Sequence, residues 1–217
     1  MTDNPARPDW STRTLSERDW EEFLRVDSHA FGATMPDELG ATERELHEEG
    51  RGLGAFDPDD ELVGIATAFT YDLSVPGAEV PAAGVSWVCV LPTHRRRGVL
   101  TALMRAQLDG IRHAGREPIA ILWASEPQIY GRFGYGQATS LFSASVRRDP
   151  RALHALAPVD PRLQLRLAEP AQWKDVAEVY DGLRARRPGM PARDERWWRR
   201  AVHDVPVLRS GYSELRS

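Results

Sequence analysis

At 217 residues, with 41% hydrophobic and 28% charged side chains, the chain can bury a core as one large domain or as one domain plus part of another. Its formal charge of −4 excludes a general attraction to nucleic acid or to anionic membranes, and leaves neither as an expected partner. The single cysteine, Cys89, excludes an intramolecular disulfide framework; with no signal-peptide core and no apolar run of ~18 residues, the expected location is the cytoplasm.

Residues 1–9 are polar and contain proline, which predicts a loose leader. Trp10 to Leu15 reads as a short strand, and Ser16-Glu17-Arg18-Asp19 as a capping box before a helix carrying Trp20, Phe23, Leu24 and Phe31. A second helix is predicted from Thr42 to Glu49. Gly52–Phe56 and Leu62–Tyr71 read as strands joined by the turn Asp57-Pro58-Asp59-Asp60. Gly77–Pro81 reads as a loop and Gly84–Val90 as the next strand. After Gly98, Leu100, Leu103, Met104, Leu108 and Ile111 recur at helical spacing with Arg105, Asp109 and Arg112 opposite, and Gly115 marks the stop. Pro118–Trp123 is a further short strand, followed by a brief helix over Gln128–Phe133 and a strand over Thr139–Val146. This order predicts a mixed α/β sheet with a crossover helix.

Composition changes after residue 148. Pro150, Pro158 and Pro161 mark a linker over 149–161. Leu163–Leu167 and then Pro170–Leu183 repeat the opening strand, turn and amphipathic helix, with Trp173 in the place of Trp20. Arg196-Trp197-Trp198-Arg199 predicts a short aromatic helix. Residues 162–217 therefore read as the start of a second unit like the first, 1–148, with its remainder absent. On its own such a stretch would bury little.

The chemistry concentrates in the run Val88-Cys89-Val90-Leu91-Pro92-Thr93-His94-Arg95-Arg96-Arg97-Gly98-Val99-Leu100. An apolar strand stops at proline, three arginines and a glycine make a turn, and a helix begins. Free backbone N–H groups, a helix N-terminus and positive side chains then meet at one point, which suits a pyrophosphate. A solvated arginine cluster or a nucleic-acid patch is the competing reading; the negative net charge and the missing interleaved aromatics do not support it. Of the basic residues only Lys174 is lysine. Cys89 lies inside the apolar run with no histidine near it in sequence, and reads as a small buried hydrophobe. The histidines are scattered without metal-ligand spacing, so no metal site is expected.

Two stretches resemble the GNAT acetyltransferase superfamily, and within it the Eis-like (enhanced intracellular survival) branch. One is Val85-Ser86-Trp87 with the run that follows it to Leu100; the other is Ala124-Ser125-Glu126-Pro127-Gln128-Ile129-Tyr130-Gly131-Arg132-Phe133-Gly134-Tyr135-Gly136. The resemblance spans about residues 10–150 and continues more weakly to 217. It implies an α/β fold with a GNAT-type mixed, mostly antiparallel sheet flanked by helices, and the start of a second GNAT-like unit after it. It implies an enzyme that transfers acetyl from acetyl-CoA to an amine: an aminoglycoside, a polyamine-like molecule or a protein lysine. A non-catalytic acyl-CoA-binding or interaction module is the alternative.

In that family Gln/Arg-x-x-Gly-x-Gly/Ala wraps the pyrophosphate. Here Arg95-x-x-Gly98-x-Leu100 keeps the first two positions and has leucine at the last, as the Eis-like branch commonly does. The resemblance assigns Arg96, Arg97, Gly98, Val99, Leu100 and Thr101 to the pyrophosphate, Val88, Cys89 and Val90 to the pantetheine arm, and Ser125 and Glu126 to further cofactor contacts. The resemblance also implies the Val90 amide as an oxyanion donor and Tyr130 as the general acid that protonates the departing thiolate; a phenol of pKa ≈ 10 carries its proton at neutral pH. Tyr135 is a packing residue. Trp123 stands where some relatives have a histidine lining the substrate cavity. Asp27 and nearby acids could draw a cationic acceptor, although a single acid on a helix is usually just solvated. Full-length relatives add a second GNAT-like unit and a sterol-carrier-like domain whose terminal carboxylate acts as base, and they form hexamers; neither that base nor that assembly carries over to a chain ending at Ser217.

Overall fold

A computed structural model describes residues 9–144, 160–162 and 170–209. Strands β1 (Ser11–Thr14), β2 (Leu53–Phe56), β3 (Leu62–Val75), β4 (Ala78–Val90) and β5 (Ile119–Leu122) form one sheet in that order. The first four are antiparallel neighbours, and β5 runs parallel to β4. A parallel pair needs a crossover, which helix α3 (Val99–Ala114) supplies. The expected mixed, mostly antiparallel architecture is what the chain adopts. Among the described residues no helix is long and apolar enough to cross a membrane.

Strand alternation sorts the two faces of the sheet. On one, a Cβ added to Gly64 would meet Val99 and Leu103 of α3 at 3.0 and 3.2 Å. On the other lie Phe69 and Tyr71, with α1 (Trp20–Phe31) and α2 (Asp37–Leu46). Phe23, Val26, Leu62, Val63, Ile65, Leu103 and Met104 are fully buried between these layers.

The start of α1 is fixed by Asp19. Its carboxylate accepts from the Arg13 guanidinium at 2.8 and 2.9 Å, from the Ser16 N–H at 2.8 Å and from Ser16 Oγ at 2.7 Å. The capping sequence thus works chiefly through its acid, with the serine hydroxyl donating. Arg13 above all, aided by Ser16, holds the Asp19 carboxyl well below the usual carboxylate range.

Three boundaries differ from the sequence reading. Helix α2 begins at Asp37, not Thr42, and ends at Leu46 because His47 is extended. Pro36 precedes it and Asp37 and Glu38 complement the dipole of its first turn; Gly40 inside it disguises the helical pattern and sits over Leu24 of α1. The loop predicted over Gly77–Pro81 is instead mostly strand: Gly77 at φ +79° makes the turn, and Ala78 already pairs with Val75. Pro81 is accommodated because β5 begins to pair only at Ala82. The strand expected over Thr139–Val146 is not formed by residues 139–144, where Leu141 is 70% and Phe142 94% exposed; alternation without a sheet neighbour buries nothing. Residues 145–146 lie outside the described residues.

Most of the proposed linker, and the strand expected at Leu163–Leu167, also lie outside the described residues. Helix α4 (Trp173–Arg184) follows a short 3-10 turn, and α5 (Glu195–Val202) contains the predicted aromatic segment, capped by Asp194 accepting from the Trp197 N–H at 3.1 Å. The chain between them binds the free edge of β3: Gly189 N–H donates to Ser74 O (2.7 Å), Ser74 N–H to Met190 O (3.0 Å) and Ala192 N–H to Asp72 O (2.7 Å). Trp198 is buried edge-on to Tyr180.

Asp19→Asn is expected to lower the urea midpoint at pH 7. Because the folded carboxyl titrates below its unfolded value of about 3.9, its stabilisation is present above that value and is lost as pH falls through the folded one. The gap between variant and wild type therefore closes on acidification. Equal midpoints at pH 7 would show that the Arg13 pairing stabilises nothing.

Candidate active site

The end of β4 carries an irregularity that the rest of the site uses. Thr67 pairs with Ser86 but Ile65 with Cys89, so Trp87 and Val88 together face Ala66 in a bulge. Trp87 takes φ +49°, unusual for a bulky residue, and its ring is held edge-on to Phe23 at 5.2 Å and against Phe69 at 5.5 Å. On the opposite edge, β5 stops at Leu122, paired with Val85. Beyond Val85 the outer edge of β4 has no strand beside it among the described residues.

Hydrogen-bond parity shows which groups face that gap. Leu91 N–H donates to Val63 O at 2.9 Å, so the adjacent Gly64–Val90 pair is of the non-hydrogen-bonded kind. The Val90 N–H and C=O therefore point away from β3, toward the gap. The carbonyl accepts from Arg95 Nε at 3.4 Å.

The turn after β4 delivers a helix N-terminus to the same place. Arg96 at φ +64° and Gly98 at φ +87° reverse the chain, and Ala102 N–H is the first to bond back, to Gly98 O at 3.0 Å. The N–H groups of Val99, Leu100 and Thr101 have no carbonyl ahead of them in the helix. The three arginines separate in role. Arg95 turns inward to Val90 O and, at 3.4 Å, to Ala30 O at the end of α1. Arg96 is exposed, and Arg97 pairs with Asp9 at 3.1 Å on the surface.

Tyr130 lies on a 3-10 turn (Pro127–Phe133) that follows β5. It packs with Val88 and Leu100 on the cluster of Ala68, Val85 and Met104, so residues of strand, turn and helix meet there. Burial first, then Glu126 and Cys89, raise its phenol above the ordinary value. Tyr135 stands edge-on at 6.0 Å, with its hydroxyl buried and a pKa pushed up to about 12 by burial. Ser125 and Glu126 are exposed at the mouth of this turn, and Trp123 is 74% exposed. Cys89 is buried, and burial, with Asp27 beside it, pushes its thiol up to about 12.

Asp27 is the residue whose weight the sequence understated. It is only 8% exposed, on the same face of α1 as Phe23 four residues earlier, and forms no ion pair among the described residues. Burial, then the nearby Glu43, raise its carboxyl above the usual range. The spacing from Phe23 was the available signal.

Residues 11–138 match a family described as acetyltransferase (GNAT) domain. The chain is 46% identical over 209 residues to an "Uncharacterized N-acetyltransferase" of Streptomyces avermitilis, covering 94% of this chain and 50% of that protein. It is 36% identical over 216 residues to "N-acetyltransferase Eis" of Mycobacterium tuberculosis, covering 97% and 52%. The crystal structure of Eis1 from Mycobacterium abscessus superimposes with a TM-score of 0.67 at 41% identity, covering 88% of this chain and 46% of that one. The chain spans about half the length of the curated relatives it matches.

Gly98→Ala tests the turn directly. A left-handed residue with a Cβ costs about 1–2 kcal/mol, and the nearest atom to that Cβ is 3.9 Å away, so the effect is conformational and not steric. Denaturant unfolding should show a loss of that size; an unchanged free energy would contradict the turn geometry.

Proposed function

The chain belongs to the GNAT acetyltransferase family, in its Eis-like branch, and we propose that it transfers an acetyl group from acetyl-CoA to an amine. The observation that supports this most is the outer edge of β4, unpaired among the described residues beyond Val85, leading into the N-terminus of α3, with Tyr130 packed on the same cluster as Val88 and Leu100. An extended amide-bearing arm matches the Val90 N–H that points away from β3, and a pyrophosphate matches the N–H groups of Val99 to Thr101, which have no helical carbonyl ahead of them. Donor groups present in the fold therefore suit coenzyme A at both ends.

In this reading the turn Arg96-Arg97-Gly98-Val99-Leu100-Thr101 holds the pyrophosphate. Gly98 lets the backbone approach, and the helix dipole and exposed Arg96 favour the negative charge. Val88, Cys89 and Val90 hold the pantetheine arm by main chain, while Ser125 and Glu126 border the cofactor at the turn before Tyr130. The Val90 N–H donates to the thioester carbonyl oxygen, where negative charge develops as the amine attacks. The new C–N bond forms as the C–S bond breaks. Tyr130 gives its proton to the leaving sulfur, and the amine loses one to solvent. Its raised pKa keeps the phenol loaded at neutral pH. The negative charge of Asp27, which also acts on Cys89, favours the amine in its cationic form.

Calorimetric titration with coenzyme A is expected to show saturable binding to the folded chain; no heat at millimolar coenzyme A would overturn the reading. Thiol release with acetyl-CoA and a panel of amines is expected to fall by about 10²–10⁴-fold in Tyr130→Phe, the range of general acid catalysis. Unchanged turnover would remove Tyr130 from that role. Binding without turnover for any amine would instead favour an acyl-CoA-binding module.

A further inference from the structure

Three arginines stand in a row at the turn between β4 and α3, and they do not take the same direction. All three are exposed as residues, so direction and not burial separates them. Arg95 is extended (φ −64°, ψ 152°), whereas Arg96 at φ +64° is left-handed, a strained conformation for a residue with a side chain. The reversal between them sends their side chains apart. Arg96 stays on the surface and Arg97 pairs there with Asp9 at 3.1 Å. Arg95 instead forks back over the strand that it follows.

Both prongs of that fork reach carbonyls that the secondary structure leaves over. Nε donates to Val90 O at 3.4 Å, the carbonyl that points away from β3. A terminal nitrogen donates to Ala30 O at 3.4 Å, one of the last four carbonyls of α1, which have no N–H ahead of them in the helix. Each bond is at the long end of the range, so neither would hold alone. A charged, planar donor that meets two acceptors at once makes the pair effective. The start of α1 is held by Asp19 with Arg13, and its middle by Arg25, which donates to Leu62 O at 2.9 Å. Among the described residues, Arg95 supplies the side-chain hydrogen bond that reaches the last turn of α1 from outside the helix. Asp27 lies three residues before Ala30, and its charge and that of Arg95 act on the Cys89 thiol in opposite directions, so these groups gather at the end of β4.

We propose that Arg95 is a positioning residue of the acetyl-transfer site and not a ligand of the pyrophosphate, although it opens the same arginine run. This rests on the acetyl-transfer reading and sharpens it. By taking the Val90 carbonyl, Arg95 leaves the Val90 N–H as the open group of that residue. The strand end then presents a donor, which suits an acceptor oxygen such as that of the thioester and not an amide N–H of the arm. By taking Ala30 O as well, it ties the last turn of α1, with Asp27 just before it, to the residue whose N–H faces the developing oxyanion. Without the fork the bare carbonyl would offer the arm a competing register, and the end of α1 would be free to shift. A displacement of about 1 Å at reacting groups can cost about 10²-fold in rate. Arg96 and Arg97 remain the side chains offered to the phosphates.

The test compares wild type, Arg95→Met, Arg95→Lys and Arg96→Met as full chains, by calorimetric titration with coenzyme A and by thiol release from acetyl-CoA with the fastest amine of the panel. Arg95→Met is expected to move the coenzyme A Kd and the acetyl-CoA KM by less than about threefold and to lower kcat at least about tenfold. Arg95→Lys, which keeps the charge and N–H donors but not the planar fork, should recover part of that loss. Arg96→Met should instead weaken coenzyme A binding, by a factor that shrinks as salt is added. Thermal midpoints establish that the variants are folded, and Arg95→Gln replaces Arg95→Met should the latter unfold. A loss of coenzyme A affinity beyond threefold in Arg95→Met makes Arg95 a phosphate ligand and overturns the assignment, as does an unchanged kcat. If the wild type binds coenzyme A without turnover, the acetyl-transfer reading fails by itself and hydrogen exchange decides the contact. Amides in the last turn of α1 should then exchange at least about tenfold faster in Arg95→Met, and equal exchange overturns it. A wild type that binds no coenzyme A overturns both.

Discussion

Backbone groups without a sheet partner are the constraint around which this molecule is organised. β4 continues to Val90 after its parallel neighbour has ended opposite Val85, and the bulge at Trp87 lies between those two points. A left-handed tryptophan costs of order 1–3 kcal/mol and persists only where its surroundings leave no alternative. Phe23 and Phe69 provide that confinement from two elements. The strain and the exposed edge are one device. The bulge faces the Val90 N–H into the gap, and an unpaired amide of this kind is satisfied by water or by a ligand that behaves as a strand.

A second open edge is dealt with differently. β2 pairs with β3 only as far as Ala66, which leaves the outer side of β3 unprotected toward its tip. Exposed edges invite pairing with other chains. Here the segment from Gly189 to Ala192 takes the position, and α5 follows directly from it. The edge bonds therefore set where Trp197 and Arg200 arrive, against Phe69 and Glu43. A contact that protects the sheet also walls a cleft lined by Tyr71, Trp197 and Arg200. The long separation in sequence, between β3 and α5, conceals both effects from any local reading.

That contrast explains what the sequence disclosed. Features set by near neighbours were legible: the helical spacing of Leu100, Leu103 and Met104, the stop at Gly115, the Asp57–Asp60 turn, and the arginine-rich turn that opens α3. Where the outcome depends on a distant partner, local pattern misled. The alternation over Thr139–Val146 reads as a strand, yet residues 139–144 have no sheet neighbour in the described chain. Gly77 to Pro81 read as a loop, although the pairing of β3 with β4 draws Ala78 to Pro81 into the ladder. Asp27 read as a solvated acid because its burial comes from the packing of α1 on the sheet, and the charge that acts on it comes from Glu43, one helix away. The bulge at Trp87 has no local signature at all, since a tryptophan in an apolar run looks like any strand residue.

The proximity of Cys89 to the proposed thioester raises a chemical difficulty that the fold resolves. A thiolate beside an acetyl thioester would take the acetyl group itself, by exchange, before an amine could. Burial pushes this thiol up to about 12, and the Asp27 charge acts in the same direction. At neutral pH the sulfur then stays protonated, which removes the competing nucleophile without removing the small side chain that the strand packs. Asp27 thus acts on two groups at the proposed site, the incoming amine and the Cys89 sulfur. The negative charge that draws in a cationic amine is the same one that keeps the neighbouring sulfur neutral. Burial raises the carboxyl of Asp27 itself, so this double role is strongest on the alkaline side of its own titration, where the carboxylate is charged and more of the amine is free to attack.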